Sequence, residues 1–326
     1  MVLFFMSVTD PASQASSTLK WGQLKRLEFI EFRLLWEGRV IRRGLREAFQ
    51  ISEQQASLDI GRYLDAAPDN MAYDPIEKAY VRQPKFAPKF VGDFTDRYLL
   101  QLHAVRSGIM AKEDSWFKKM PAAKVAALAH KPTPWRFIMG VLDAIRSGRE
   151  AVIEYRSLTG TTETQKHIAP HALGHGAGRW HVRAWSREHD SFRDYNLDRI
   201  ASIKLLDRST VSSECDRAWH TEFEMIIIPN PALPQGYRVT IAEERGMVNN
   251  ELRCSLPVSM CFYLDIEYLL DLAEKVEFGD GTGQTVRAER FHLKLKNRKA
   301  YEMAVSAAKA ETRAALDAAR TNADIS

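Results

Sequence analysis

From Leu24 onward, Leu24, Leu27, Phe29, Ile30, Phe32, Leu34 and Leu35 recur at spacings of three and four, which predicts an amphipathic helix. It ends near Glu37-Gly38, where the glycine offers a C-cap. Arg42 to Phe49 predicts a short second helix with Leu45 and Phe49 one turn apart, and Gln50-Ile51 is a tight connector. Ser52 then serves as N-cap for a third helix from Glu53 to Leu64. Its Ala56, Ile60, Tyr63 and Leu64 share one face, and Gln54, Gln55, Ser57 and Arg62 lie opposite. Segments 70–73 and 78–81 flank Asp74-Pro75-Ile76-Glu77, which predicts two short strands around a turn.

Further along, residues 94–107 and 114–128 have helical periodicity, and Lys131-Pro132-Thr133-Pro134 breaks the chain. Trp135 to Ser147 predicts a helix with Phe137, Ile138, Val141, Leu142 and Ile145 inward, closed by Gly148. Five strand-like segments follow at 150–157, 162–172, 179–187, 191–197 and 199–206, the spacing of a small closed or nearly closed sheet. The last third mixes strands expected at 237–241, 252–258 and 291–295 with helices at 263–274 and 298–319. The chain is thus expected to be α+β and multidomain.

Three helices followed by two strands are the pattern of a winged helix-turn-helix. The polar face of the third helix carries side chains that bond base edges or phosphates, and its N-terminus favours an anion. Arg42, Arg43 and Lys78 stand where they would neutralise phosphates, and Ser52, Gln54, Gln55, Ser57 and Arg62 complete the DNA-facing set. A trihelical protein-interaction module has the same pattern. In the strand-rich segment, Tyr155 and Ser157 share one strand face by the period of two, and His181 and Arg183 share another, with Trp180 and Val182 opposite. With Arg193, Asn196 and Arg199 they define a pocket if those faces converge. Its guanidinium forks suit phosphate and its aromatic rings suit bases. A merely solvated sheet face would carry the same residues.

Composition narrows the function. The 326 residues, 45% hydrophobic and 27% charged, can build two or three cores, and the net charge of +4 is too mild to argue for nucleic acid by itself. Three cysteines without CxxC spacing give neither a disulfide framework nor a cysteine zinc site. Five histidines between 167 and 189 follow no standard metal spacing, so neither metal nor cofactor is expected. GxSxG, HExxH, Walker and GxGxxG motifs are missing, which speaks against a hydrolase or other enzyme. No membrane span is expected, and the setting is read as cytoplasmic.

Four segments carry a resemblance: Ile153 to Ser157, Ile168 to Leu173, Gly178 to Ala184 and Asp194 to Ile200 are similar to a WYL domain. Trp180-His181-Val182 stands where that name places Trp-Tyr-Leu, and Trp-His-Val-Arg-Ala resembles the BrxR and CapW subgroup of phage-defence islands. Glu31 to Gly38, Ile51-Ser52, Gln55 to Asp59, Met71 to Asp74 and Lys78 to Tyr80 resemble that subgroup's winged helix. Ile241 to Leu256, with Gly246-Met247-Val248-Asn249, resembles its WCX extension. The apolar opening and the polar run Pro11 to Thr18 are read as a flexible tail (1–19); the resemblance implies a winged helix-turn-helix (20–92), a helical linker (93–133), an Sm-like small β-barrel WYL domain (134–210) and an α+β WCX domain (211–326). It further implies a homodimeric repressor of a BREX-like or CBASS-like operon, bound to an inverted repeat in double-stranded DNA. A nucleotide, oligonucleotide or similar small ligand would control it through Tyr155, Ser157, His171, His181, Arg183 and Arg199.

Overall fold

The three-four periodicity is realised as α1 (Trp21–Glu37), which buries Leu27, Phe29, Ile30, Phe32 and Leu34. Gly38, at φ +75°, ends it by donating its N–H to the Leu34 carbonyl. This is a computed structural model, and it describes residues 20–90, 95–126, 133–158, 163–271 and 291–325; the tail expected over 1–19 lies outside them. The chain divides into two compact units, Met1–Ala129 and His130–Ser326.

In the first unit α2 (Arg42–Phe49) and α3 (Glu53–Ala66) follow α1. Leu45, Ala56, Ile60 and Tyr63 close a core with Leu27, Phe29 and Ile30. The Ser52 side chain accepts the Gln55 N–H at 3.1 Å, as an N-cap should. β2 (Met71–Asp74) and β3 (Ala79–Arg82) pair antiparallel, with Asp74 opposite Ala79. A further strand, β1 (Arg39–Val40), adds to β3 and gives the order β1-β3-β2. At two residues it is too short for any alternation to reveal. Buried Glu31 accepts the Tyr63 hydroxyl at 2.9 Å and the backbone N–H groups of Lys89 and Phe90, which straps the segment after β3 onto the helices.

α4 (Thr95–Arg106) forms as expected, but the helix expected over 114–128 is not formed along its described part. A 3-10 turn at Lys112–Asp114 gives way to irregular chain. The cause is tertiary. Trp116 and Phe117 turn onto Phe32, and the Glu37 carboxylate takes the backbone N–H groups of Lys118 and Lys119, which a helix would need. Pro121 adds a break.

The second unit begins with α5 (Trp135–Ser147), capped by Gly148 at φ +60°. Strands β4 (Arg149–Arg156), β5 (Glu163–Gly176), β6 (Arg179–Ser186), β7 (Ser191–Asn196) and β8 (Ile200–Arg208) form one sheet in the order β7-β6-β5-β4-β8. Val141 of α5 packs with Ile153, Ile168, Val182, Ala184 and Tyr195 on one sheet face. Among the described residues β7 and β8 are edges that do not pair with each other, so the expected Sm-like barrel is here an open five-stranded sheet. Gly140 lets α5 approach β8: a Cβ there would lie 2.7 Å from Ile203 Cγ2. Gly140→Ala should therefore cost about 1–3 kcal/mol by overpacking, read as a lowered urea midpoint with unchanged slope.

Past the sheet come α6 (Arg217–His220), β9 (Glu222–Pro229), α7 (Gln235–Glu244), β10 (Leu252–Pro257), α8 (Val258–Glu267), β11 (Leu293–Leu295) and α9 (Arg298–Ile325). β9 is the centre of a sheet ordered β10-β9-β11, at a place where the hydrophobic pattern predicts no strand. The strand expected at 237–241 is instead helix α7, because Pro234 starts a helix that turns Ile241 and Ala242 inward and leaves Tyr237 and Val239 exposed. The helix expected at 263–274 begins earlier, after Pro257; residues 272–274 lie outside the described residues. Leu316 of α9 reaches Trp185 and Ala169, so the last helix covers the sheet face that α5 leaves open.

Candidate nucleic-acid interface and ligand site

Arg42 and Arg43 open α2 at the surface, because Leu45 alone of that helix is buried. Arg43 Nε is 2.6 Å from Glu47 Oε1, and Arg46 lies 3.6 Å from Glu53. Arg42 and Lys78 have no carboxylate partner among the described residues. Lys78 sits at φ +52° in a turn held by Asp74, whose Oδ1 accepts the N–H groups of Ile76 and Glu77. Arg42, Arg43, Arg46, Tyr73, Lys78 and Tyr80 line a groove of about 440 Å³ between the start of α2 and the strand turn.

On α3, Ser52 and Gln54 are exposed, and Gln55 and Ser57 are half-buried. Asp59, fully buried, collects Arg26 Nε at 2.6 Å, Gln55 Nε2 at 3.0 Å and Arg62 Nη1 at 3.2 Å. Gln55 and Arg62 thus have an internal acceptor, whereas Gln54 and Ser57 remain available. Leu58, 56% exposed, stands on the same outer face as Gln54 and Arg62. The helical pattern assigns it to neither face; its mismatch with the face of Ala56 and Ile60 is the available signal.

In the second unit the structure brings three of the expected ligand residues together around two carboxylates. Arg183 grips Asp216 with Nε at 2.7 Å and Nη2 at 2.9 Å, and reaches Asp194 with Nη1 at 3.2 Å. His171 Nε2 lies 3.0 Å from Asp216 Oδ2, and the His181 ring is 4.5 Å from Tyr263, whose hydroxyl donates to Asp194. Burial opposes the Asp216 charge, yet His171 and Arg183 hold its carboxyl below the usual range. Sequence spacing could not reveal Asp194, Asp216 or Tyr263 as partners, because Asp216 lies 33 residues from Arg183 and Tyr263 lies 69 from Asp194.

Tyr155 is not part of that cluster. It packs with Ile153 and Val182, meets Tyr195 edge-on at 5.3 Å, and its hydroxyl accepts the Asn196 N–H. The sheet thus separates it from Arg183, which faces the other way along β6. Asn196 Oδ1 accepts the Asp198 N–H, Ser157 and Arg199 are half-buried, and Trp180 and Arg193 are exposed. Among the described residues no three His, Cys, Asp or Glu are grouped to hold a metal ion.

Burial pushes the His181 pKa below its ordinary 6.5, and its Nδ1 has no partner among the described residues. The folded chain therefore keeps this imidazole neutral where the unfolded chain takes up a proton. Its contribution to stability is present above pH 6.5 and is lost as pH falls from there toward the lowered native value. Denaturation midpoints measured between pH 7.5 and about 5 should fall, and His181→Gln should flatten part of that slope.

Comparison with known proteins gives three family matches in chain order. They are the BrxR transcriptional regulator winged helix-turn-helix domain over residues 22–104, the WYL domain over 136–205, and the BrxR transcriptional regulator C-terminal dimerization domain over 222–301. The chain is 33% identical over 291 residues to the DNA-binding transcriptional repressor CapW of Pseudomonas aeruginosa, covering 89% of this chain and 94% of that one. It is 32% identical over 254 residues to CapW of Stenotrophomonas maltophilia, covering 77% and 84%. Against CapW of Escherichia coli (strain KTE188) it is 30% identical over 280 residues, covering 86% and 90%. Among solved structures it is similar to the proteasome accessory factor B/C (PafBC) of Arthrobacter aurescens at 14% identity. That match covers 92% of this chain and 48% of the other, with a TM-score of 0.25 that carries no weight for the fold. On the strength of its long, near-complete kinship with these repressors, the chain belongs to the BrxR and CapW family of WYL-domain transcriptional regulators.

Proposed function

We propose that the chain is a homodimeric, cytoplasmic transcriptional repressor that enters the major groove of operator DNA with α3 and grips the flanking phosphates with Arg42, Arg43 and Lys78. The observation that carries this reading is the exposed start of α3 beside a groove in which Arg42 and Lys78 lack carboxylate partners among the described residues. Ser52 presents the helix N-terminus, Gln54 and Ser57 reach base edges, and Leu58 meets a thymine methyl. Gln55 and Arg62 come to the duplex by letting go of Asp59. A C-terminal dimerization domain supports two copies per site and hence an inverted repeat. The operator is that of a phage-defence operon of the BREX or CBASS kind.

The same reading makes the WYL sheet, Sm-like in kind, a sensor for a nucleotide or oligonucleotide. Its phosphate competes with Asp216 for Arg183 and His171 beside His181; Arg193, Arg199, Ser157, Trp180 and Asn196 are the further contacts of this reading, and Tyr155 braces the sheet from its other face. Because a ligand shifts an equilibrium only by preferring one state, freeing Asp216, which caps α6, supplies the second state. A gel shift on the DNA upstream of the gene tests both halves. Retardation that short oligonucleotides relieve supports the reading, and no retardation at micromolar protein in low salt overturns it.

A further inference from the structure

Near the end of α1, Arg33 and Trp36 turn toward α4 and the chain that follows it, and they line a cavity of about 630 Å³. Trp36 stacks on Tyr98 with ring centres 4.3 Å apart. Arg39, Lys118 and Lys119 complete the cationic part of the lining. Arg33 is buried and pairs with Glu37 through Nη2 at 2.7 Å, but its Nε donates to nothing among the described residues. The buried indole N–H of Trp36 is likewise without an acceptor there. Buried donors are rarely left unmade, so two of them on one cavity wall point to an acceptor that enters from outside.

Charge says what kind of acceptor. Of the two carboxylates on the wall, Glu37 is spent on Arg33 and on the backbone N–H groups of Lys118 and Lys119, at 2.8 and 3.2 Å. Glu77 is paired with Arg39 at 2.8 Å. The ammonium groups of Lys118 and Lys119 have no carboxylate partner among the described residues, which leaves a surplus of two positive charges on a wall that also offers two free N–H donors. A guanidinium edge, an indole N–H and flexible ammoniums converge well on a tetrahedral oxyanion. The volume lies in the range of small-molecule sites, roughly 300–1,000 Å³.

We propose that this cavity binds a small phosphate, free or as a monoester of nucleotide size. Arg33 Nε and Trp36 Nε1 donate to its oxygens, and Lys118 and Lys119 balance its charge. The site is separate from the WYL sheet and does not depend on DNA binding. Ile41 and Glu77 line both this cavity and the groove that carries Arg42 and Lys78, so occupancy places negative charge beside the surface proposed for DNA.

The test follows the indole N–H signals of the full-length chain by nitrogen-15 NMR, with Trp36→Phe assigning the Trp36 signal. Inorganic phosphate and AMP are titrated separately, each against chloride at equal ionic strength. The expected result is a saturable shift of the Trp36 signal while the other tryptophan signals stay in place, with saturation needing at least tenfold more ligand in Lys118→Ala/Lys119→Ala. Only the backbones of those lysines bond Glu37, so the double variant keeps the fold. A shift with phosphate alone identifies free phosphate as the occupant, and a tighter shift with AMP identifies the ester. The proposal is overturned if neither anion moves the signal at millimolar concentration, if only operator DNA does, or if the double variant titrates like the parent.

Discussion

Asp216→Asn is expected to destabilise the second unit by about 3–5 kcal/mol, the cost of removing one partner from a buried ion pair. Asp216 is fully buried and binds Arg183 through two nitrogens, while His171 shares one of its oxygens. The amide keeps the size of the carboxylate and an oxygen for the Trp219 N–H, so the loss reports the missing charge rather than a cavity. Burial works against the Arg183 charge, and Asp216 together with Asp194 holds its pKa above the ordinary value. Asp194 remains in the variant, which favours the lower end of the range. Arg183→Met in the Asp216→Asn background should recover part of the loss, because it removes the orphaned charge. Urea denaturation of the four chains measures the cycle; a loss below about 1 kcal/mol for Asp216→Asn would mean the cluster is not a buried ion pair in solution. Because the folded Asp216 pKa is depressed, its stabilisation is present above the ordinary value of 3.8 and disappears as pH falls through the native value.

The second large effect concerns phosphates. Arg42→Ala/Lys78→Ala should lower the slope of log K against log salt by about 2, since each phosphate contact contributes about 0.9. At 0.15 M salt this corresponds to about fivefold weaker binding per contact and about thirtyfold for both, on operator and unrelated DNA alike. Fluorescence anisotropy over a salt series reads both quantities. An unchanged slope would remove these two residues from the interface.

Much of the winged helix was legible because its signals are local. Ser52 caps α3, Gly38 closes α1, and the spacing of Leu27, Ile30 and Leu34 belongs to one helix face. What escaped was set by distant partners. The Glu37 carboxylate claims backbone donors 81 and 82 residues away and prevents the helix expected after 114. β1 exists only because β3 lies beside it. Tyr237, Val239 and Ile241 alternate like a strand, but the turn at Pro234 directs them into α7.

The candidate sites divide in the same way. Exposure of Gln54 follows from helical phase, which the sequence contains, whereas the capture of Gln55 and Arg62 by Asp59 depends on Arg26 arriving from α1. Tyr155, His181 and Arg183 are all on strands of the expected sheet, but which face each one takes is a matter of register. Pairing of Val182 with Tyr195 puts Tyr155 in the apolar layer and Arg183 against Asp194 and Asp216.

The central claim, that α3 reads bases, is tested most directly by comparing operator and scrambled duplexes of equal length for the parent chain and for Gln54→Ala/Leu58→Ala. The parent should prefer the operator, and the variant should lose most of that preference, about 1–3 kcal/mol per lost base contact, with its salt slope unchanged. A variant that discriminates as well as the parent would contradict it.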